Sequence, residues 1–324
     1  MRRRELIAGA AAVVSASLGN AYAQQSQRRP RIGVLIFSTP ERDPSTQAFL
    51  EGLRQHGYID GRNVALEYRF AQGRSERFPD LAAELVQTRP DVIFSIGGDG
   101  TPHVAKATQT IPIVYAMSAD PVQLGLAASL AKPGGNATGV TFLSDELAAK
   151  RLEVFKEAAP RISHVGLLRD NNHADNEMPV AQHAAAALGI KLNSVEMHGP
   201  GDLDRALDAA IKTNIDGLYV VSSRHTTANV ERIVEFANKH RLPLVGGWGG
   251  WVQAGGLISY GPNVEEMVRH SAVYVDKILK GARPSDLPVQ QPTRFELYIN
   301  LKNARALDLT IPESFLLRAD KVID

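Results

Sequence analysis

The sequence from residue 31 onward alternates short apolar runs with longer segments in which apolar residues recur every three or four positions. The first apolar run, RIGVLIF at 31–37, is continuous, which is typical of a strand buried on both faces of a parallel sheet. A segment with the helical repeat follows most of these runs after a short loop. Strands and helices that alternate in this way predict right-handed βαβ units and therefore an α/β fold.

The alternation occurs in two successive blocks, and the turn-rich sequence KPGGNAT at 132–138 lies near the end of the first. In the first block we predict strands at 31–37, 64–68, 92–96, 113–115 and 140–143, and helices at 46–56, 76–88 and 101–108. In the second block we predict strands at 164–168, 190–195, 217–221 and 243–245, and helices at 146–159, 178–188, 202–212 and 229–240.

The C-terminal residues carry too few elements for a third sheet. We predict strands at 257–260 and 295–299 and helices at 264–280 and 301–307, which return to complete both earlier blocks. The predicted fold is two doubly wound, Rossmann-like parallel-sheet lobes joined by a multi-strand hinge. Lobe 1 takes 30–142 and 261–290, and lobe 2 takes 143–260 and 291–324. Such lobes place a ligand cleft at the carboxyl ends of their strands.

The N-terminus indicates export. Three arginines precede a weakly apolar run too short to span a bilayer, and Ala21-Tyr22-Ala23 offers a small-x-small cleavage site. We interpret 1–23 as a signal peptide, either of the twin-arginine type or of the ordinary Sec type with a basic start. The chain has no cysteine, which excludes disulfides, a thiolate nucleophile and a lipid-anchored cysteine. These features predict a periplasmic protein, and no other segment is long and apolar enough to cross a membrane.

The net charge of the chain argues against nucleic acid as a partner. The formal net charge is +1, and removal of the signal peptide would leave a chain close to neutral. We therefore predict no binding to nucleic acid. The length suits two domains of ordinary size in a protein that we expect to be monomeric.

The pentapeptide GGDGT at 97–101 raises a separate possibility, because glycines around an acid and a hydroxyl form nucleotide-phosphate loops in several kinases. The sequence lacks the GxxxxGK[ST] motif and a paired acidic metal site, and a periplasm holds essentially no ATP. We therefore interpret GGDGT as a turn that begins a helix at the cleft, where free N–H groups favour an anion. We predict no cofactor, no metal and no catalytic residue. A nucleotide-dependent kinase stays the alternative.

Four stretches carry a resemblance to a known family: 49–86, 107–140, 150–160 and 255–323, with DPVQLGLAASLAKPGGN at 120–136 as the most specific phrase. The chain resembles the ABC-transporter substrate-binding proteins of the tryptophan/tyrosine type, over essentially all of its length after the signal peptide. The resemblance implies a type I periplasmic binding-protein fold, capture of a small ligand by hinge closure, and an inner-membrane permease with its ATPase as partner. A receptor that reports to a sensor kinase or a chemoreceptor is the second alternative.

Candidate ligand-binding residues follow the strands of the first lobe. We expect contacts from the residues at the ends of its first, third and fourth strands: Phe37, Ser38, Thr39, Gly98, Asp99, Gly100, Thr101, Ser118 and Asp120. Phe37 is suited to cover a flat ligand. Three of these residues have structural alternatives, because Asp99 or Thr101 could cap a helix and Asp120 could form an Asx turn.

In the second lobe the strand ends carry Asn171, Asn172, Ser222, Ser223, Arg224, Trp248 and Tyr260. Here the chain departs from the family, since Ser223-Arg224-His225-Thr226 replaces Asp-Pro-x-Phe, and Gly249-Gly250-Trp251 replaces Arg-Glu-Phe. Arg224 is able to bind a carboxylate bidentately, which favours a small carboxylate with an aromatic or branched body as ligand. We predict that Trp248 faces the cleft, that Trp251 packs in the core, and that His173 and His225 lie on a polar rim.

Overall fold

The computed structural model describes residues 28–39, 44–142, 144–173, 176–199 and 201–324. The predicted signal peptide at 1–23 lies outside the described residues, as does position 143 at the end of a predicted strand. Within the described ranges, no helix has the length and apolar character needed to cross a membrane.

The described residues form alternating strands and helices. The strands are β1 (Arg31–Ile36), β2 (Ala65–Phe70), β3 (Val92–Ile96), β4 (Ile113–Met117), β5 (Ala137–Thr141), β6 (His164–Asp170), β7 (Lys191–Met197), β8 (Gly217–Val220), β9 (Leu244–Gly246), β10 (Ile258–Gly261), β11 (Glu296–Asn300) and β12 (Lys321–Ile323). The helices are α1 (Pro44–Gln55), α2 (Phe78–Gln87), α3 (Thr101–Ala107), α4 (Ser144–Ala158), α5 (Glu177–Ala187), α6 (Leu203–Lys212), α7 (Arg224–Ala228), α8 (Val230–Lys239), α9 (Gly250–Gln253), α10 (Val264–Leu279), α11 (Leu301–Ala306) and α12 (Glu313–Leu316). Short 3-10 turns occupy Ser75–Arg77 and Pro284–Asp286.

The first sheet has the strand order β2-β1-β3-β4-β5, and all its pairings are parallel. Strands β1, β3, β4 and β5 are buried along nearly their whole length, which explains why RIGVLI has no polar alternation. Two apolar clusters cover the faces of this sheet. In one of them the rings of Phe49 and Phe94 stack with their centroids 3.7 Å apart, which joins α1 to β3.

The second sheet has the order β12-β11-β10-β9-β8-β6-β7. Its pairings are parallel except that β11 runs antiparallel to β10. A cluster around Phe155, Tyr219 and Phe315 covers one face, and a cluster around Trp251 covers the other. The predicted two-lobe α/β fold is confirmed, with one antiparallel pairing that the apolar pattern did not indicate.

The chain passes between the two sheets at three places: after β5, after β10 and before β11. Helix α10 follows β10 and packs on α1 and on β4 and β5 of the first sheet, whereas β11 and β12 join the second sheet. The predicted lobe limits stay a prediction of domain boundaries. The three crossings are the backbone connections between the two lobes.

Most predicted elements agree with the observed bounds to within a few residues, and β3 agrees at both ends. The apolar pattern did not predict α7, α9, α12 and β12, which have three to five residues each. Such short elements contain too few positions to show a helical or strand period.

Candidate functional site

A cavity lies between the two lobes, at the carboxyl ends of the strands of both sheets. Residues from both lobes line it: Ser45, Gly97, Ala116, Ser118, Phe142, Ser144, His173, Ser222, Ser223, Arg224, Thr227, Gly247, Trp248, Pro262, Val264 and Glu265. Five of the predicted site residues are among them, namely Ser118, Ser222, Ser223, Arg224 and Trp248. The lining combines hydroxyl groups, the guanidinium group of Arg224, the imidazole of His173 and the carboxylate of Glu265 with aromatic and aliphatic carbon, which suits a small ligand with charged groups and an apolar body.

The GGDGT loop forms the lobe 1 wall, and its glycines are required by close contacts. Gly97 has φ +98°, and a Cβ added there would lie 2.9 Å from Cγ and Cδ of Arg224 in the opposite lobe. A Cβ on Gly98 would lie 2.7 Å from that of Ala119, and one on Gly100 would lie 2.9 Å from the ring of Phe78. Glycine is therefore needed at these three loop positions, because other groups lie where a side chain would be.

The side chains of the loop do not cap the helix that follows it. Gly100 is the N-cap of α3 and no side chain caps this helix, so the structural alternative of a capping role holds for neither Asp99 nor Thr101. Thr101 is fully buried and its hydroxyl faces back toward the loop, within 2.8 Å of the carbonyl of Gly97 and 3.0 Å of the hydroxyl of Ser95. Within the loop, Gly97 is the residue that lines the cavity.

Asp99 extends across the cleft to the other lobe. Its Oδ1 lies 2.7 Å from Nδ1 of His173, and Nε2 of the same imidazole lies 3.2 Å from the hydroxyl of Ser118 in lobe 1. Ser118 in turn donates a hydrogen bond of 3.1 Å to the carbonyl of Ser222 in lobe 2. Burial opposes ionisation of Asp99, but the charge and hydrogen bond of His173, with Arg224 and His225 farther away, hold the pKa of Asp99 below its ordinary value.

His225 makes a second contact between the lobes. Its ring lies 4.8 Å from the ring of Phe37 between centroids, and its Nε2 is 3.5 Å from the hydroxyl of Ser75, both in lobe 1. Its Nδ1 is 3.1 Å from the carboxylate of Asp170, which belongs to the same lobe as His225. Both histidines are therefore buried between the lobes, and the expectation of a polar rim position was wrong for each. The lobe interface excludes water from side chains that the sequence pattern placed at a surface.

The position of Arg224 is set by the capped start of α7, of which it is the first residue. Ser223 caps α7 in a capping box with Thr226, and this fixes the turn after β8. Ser223 is buried, and Arg224 follows as the first helical residue with its aliphatic stem against Gly97. The cap thus fixes the backbone position from which the side chain of Arg224 reaches the wall of the cavity.

A buried ionic network supports the lobe 2 floor of the cavity. Nη1 of Arg151 lies 2.5 Å from the carboxylate of Glu177, and both side chains are fully buried. The same Nη1 donates a hydrogen bond of 2.7 Å to the hydroxyl of Tyr219, which donates one of 2.8 Å to Glu177. Nε of Arg151 donates to the carbonyl of Tyr260 at 3.0 Å, next to the hinge crossing after β10. The network joins α4, α5, β8 and β10 beneath the cavity.

The two tryptophans occupy the predicted environments. Trp248 lines the cavity, whereas Trp251 is fully buried in the core cluster on the far face of the second sheet. A Cβ on Gly246 would lie 2.1 Å from the Trp251 ring, so the glycine gives space for that ring.

The remaining predicted residues do not line this cavity. Phe37 is buried behind it against His225, and Ser38 lies 3.5 Å from the carbonyl of Thr39. The carboxylate of Asp120 accepts a hydrogen bond from the backbone of Val122, as in an Asx turn, and borders a neighbouring cavity. Asn171 and Asn172 are exposed, and the ring of Tyr260 packs toward Phe295.

Sequence reasoning missed several lining residues. Ser45 and Ser144 lie at the starts of α1 and α4, and both face the cavity. A serine at the start of a helix that follows a strand was the available signal for both. Phe142 and Glu265 lie beside the hinge crossings, and no local pattern identifies them.

Comparisons with known proteins agree with this arrangement. Residues 31–323 match the family model described as ABC transporter substrate binding protein. A tyrosine-binding protein of Clostridioides difficile (strain R20291) is 27% identical over 292 residues, which are 88% of this chain and 82% of that protein. An ABC domain from Streptococcus pneumonia, solved with L-Trp, has a TM-score of 0.84 and 25% identity, covering 91% of this chain and 100% of that one. A conserved domain protein from Vibrio cholerae has a TM-score of 0.84 and 31% identity with the same coverage.

Proposed function

Because the chain belongs to the ABC transporter substrate-binding protein family, we propose that it is the periplasmic receptor of an importer and captures a small organic carboxylate between its lobes. The observation that carries this proposal is the cavity at the strand ends, where Arg224 and Trp248 face the same space. A guanidinium group binds a carboxylate through two parallel hydrogen bonds, and an indole offers a flat apolar surface.

The ligand class follows from these two side chains. Arg224 supplies the carboxylate contact, the hydroxyl groups of Ser45, Ser144 and Ser222 supply polar contacts, and Trp248 with Phe142 covers the apolar body. Two similar proteins are named or solved with tyrosine and L-Trp, so aromatic amino acids are the first ligands to test. A branched or aromatic carboxylate without an amino group is the second group.

Capture works by hinge closure. Contacts such as Asp99 with His173 and Ser118 with Ser222 join the two lobes directly around the cavity. A ligand that touches both walls adds contacts that the open arrangement lacks, so it shifts the population toward the closed one. The closed receptor then delivers its ligand to an inner-membrane permease with its ATPase. It works as a monomer and carries out no chemistry on the ligand.

A thermal-shift screen of the refolded mature chain tests the proposal. The panel holds L-tyrosine, L-tryptophan, branched-chain amino acids, aromatic and aliphatic carboxylates without an amino group, and ATP with Mg²⁺. A ligand at about a hundred times its Kd adds about 2.7 kcal/mol of stability. We expect a shift with one carboxylate class and its loss in Arg224→Ala. Arg161→Ala is the matched control, because Arg161 is exposed and lies before β6, at the opposite end of the strands.

Two outcomes would contradict the proposal. If Arg224→Ala binds the ligand as tightly as the parent chain does, the carboxylate contact is wrong. If only ATP with Mg²⁺ stabilises the protein, GGDGT binds nucleotide and the receptor function is wrong. A receptor that feeds a sensor instead of a permease would bind the same ligands, and the neighbouring genes separate the two: permease and ATPase genes favour transport.

A further inference from the structure

The hydrogen bonds of His173 define its protonation state in the closed arrangement. Ser118 has one hydroxyl hydrogen, and this hydrogen is donated to the carbonyl of Ser222 at 3.1 Å. The oxygen of Ser118, 3.2 Å from Nε2 of His173, therefore has to accept a hydrogen from the ring. The carboxylate of Asp99, whose ordinary pKa is about 3.9, accepts the other hydrogen from Nδ1. Both ring nitrogens are then donors, and an imidazole with two N–H groups is a cation.

The charges around the imidazole agree with this assignment. The carboxylate of Asp99 from the GGDGT loop contacts the imidazole directly, Arg224 and His225 from α7 act on that same carboxylate, and Asp170 at the end of β6 contacts His225. A carboxylate ligand on Arg224 adds a further negative charge, so ligand binding and protonation favour one another.

Asp99 and Ser118, which contact the imidazole of His173, lie in the opposite lobe, whereas the carboxylate beside His225 lies in its own lobe. Opening the cleft therefore separates His173 from Asp99 and Ser118, but it leaves Asp170 beside His225. The two histidines differ in whether closure creates their ion pair.

We propose that the Asp99–His173–Ser118 bridge is a proton-dependent latch, in which protonation of His173 favours the closed arrangement of the lobes. The inference rests on the proposed hinge closure. The sign follows from linkage: the closed arrangement holds a proton that the open one releases more readily, so closure is favoured below the ordinary histidine range near pH 6.5 and weakens as the pH rises through and above it. Asp99 stays ionised throughout this range because its pKa is lowered.

Spin labels measure the latch directly, since the chain has no cysteine and two can be introduced without competition. Asp80 in α2 and Glu235 in α8 are exposed and lie in different lobes, so Asp80→Cys with Glu235→Cys reports the opening of the cleft. Pulsed dipolar spectroscopy is recorded without ligand at about pH 5.5 and about pH 8, where histidine changes its charge. We expect the closed-to-open ratio to fall by roughly three- to tenfold across this interval.

Four variants of the labelled chain test which residues cause the pH dependence of the closed-to-open ratio. His173→Gln and the isosteric Asp99→Asn are each expected to abolish the pH response, so the test survives if one of them fails to fold. His225→Gln is expected to keep the response because its carboxylate is in its own lobe. His183→Gln is the matched control, since His183 is exposed on α5. A response that persists in both His173→Gln and Asp99→Asn overturns the latch.

L-tryptophan and L-tyrosine, added to the same samples, separate failure of the latch from failure of the proposed function. If either amino acid closes the cleft but pH does not, the latch is wrong and the receptor function stands. If pH changes the ratio but neither amino acid does, the latch is supported and these amino acids are not the ligands. A single distance under every condition overturns the latch and the hinge closure together.

Discussion

The side chain of Arg224 lies directly against the backbone of Gly97 from across the cleft. A Cβ on Gly97 would be 2.9 Å from both Cγ and Cδ of Arg224. Gly97 also has φ +98°, a conformation that other residues rarely adopt. Glycine is thus required at this position for two reasons. The loop needs a positive φ, and Arg224 of the opposite lobe occupies the space that a side chain would fill.

The first prediction separates these two requirements. Gly97→Ala is expected to lower the free energy of unfolding by about 1–2 kcal/mol and to weaken ligand binding, because the new methyl group displaces Arg224. Gly57→Ala is the matched control: Gly57 has φ +83° but nothing within 4 Å of the added Cβ. It should cost similar stability without changing the Kd. Chemical unfolding and calorimetry measure both quantities, and equal Kd values for the two variants would contradict the contact.

The second prediction concerns fluorescence, since the chain has two tryptophans, at 248 and 251. Trp248 lines the cavity and Trp251 is fully buried in the core. A non-fluorescent ligand should therefore change the emission through Trp248 alone. Trp248→Phe is expected to abolish the change, and Trp251→Phe to keep it while destabilising the fold. The opposite result would place the ligand elsewhere.

The third prediction concerns the buried pair of Arg151 and Glu177. Removal of one partner leaves an uncompensated charge in the core, so Glu177→Gln is expected to destabilise the protein by about 3–5 kcal/mol. Arg151→Met combined with Glu177→Leu should cost less than the sum of the two single changes, because neither charge is then left alone. Urea unfolding of the parent chain, Arg151→Met, Glu177→Leu and the double variant gives this double-mutant cycle. Additive losses of unfolding free energy would show that the pair is not coupled.

The fourth prediction gives a pH dependence of stability. Asp276 on α10 accepts a hydrogen bond of 3.0 Å from the hydroxyl of Tyr58 and one of 2.8 Å from Lys280. Burial opposes its ionisation, but these hydrogen bonds hold the pKa of Asp276 below its ordinary value. Its carboxylate therefore stabilises the fold above the unfolded pKa of about 3.9, and this contribution is lost as the pH falls through the lower folded value.

Asp276→Asn should consequently destabilise the protein by about 1 kcal/mol at neutral pH and by less near pH 3, where the parent carboxyl is largely protonated in the unfolded chain. Urea unfolding at the two pH values measures the difference. Asp204→Asn is the control, because Asp204 pairs with Arg232 at the surface, where an ion pair contributes little. A cost that is the same at both pH values would exclude a role for the charge.

The fold could be predicted largely from the sequence because its strands are buried on both faces. After Arg31, strand β1 contains no polar residue, and the helices between such runs show their period clearly. The direction of β11 could not be predicted in this way, because an apolar run looks the same whether its neighbour is parallel or antiparallel. The five residues of α7 depend on the Ser223 cap instead of a period.

The site was predicted in part because the ends of parallel strands meet at one edge. Ser118, Ser222 and Arg224 follow β4 and β8, so their place in the cavity could be inferred from the order of elements. The contact of Asp99 with His173 could not be inferred in this way, since His173 is 74 residues away and belongs to the other lobe. Contacts of this kind depend on how two separately folded sheets face one another, which no local pattern records.

The segment 264–323 supplies α10 to the first lobe and β11 and β12 to the second. During synthesis, therefore, neither lobe receives its last element until long after its central strands have left the ribosome. Helix α10 is synthesised about two hundred residues after α1, on which it packs, and β12 is synthesised after the other strands that the structure describes. Folding of both lobes is consequently completed late, and a truncation at about residue 264 should leave the first sheet without its covering helix α10 and the second sheet without β11 and β12.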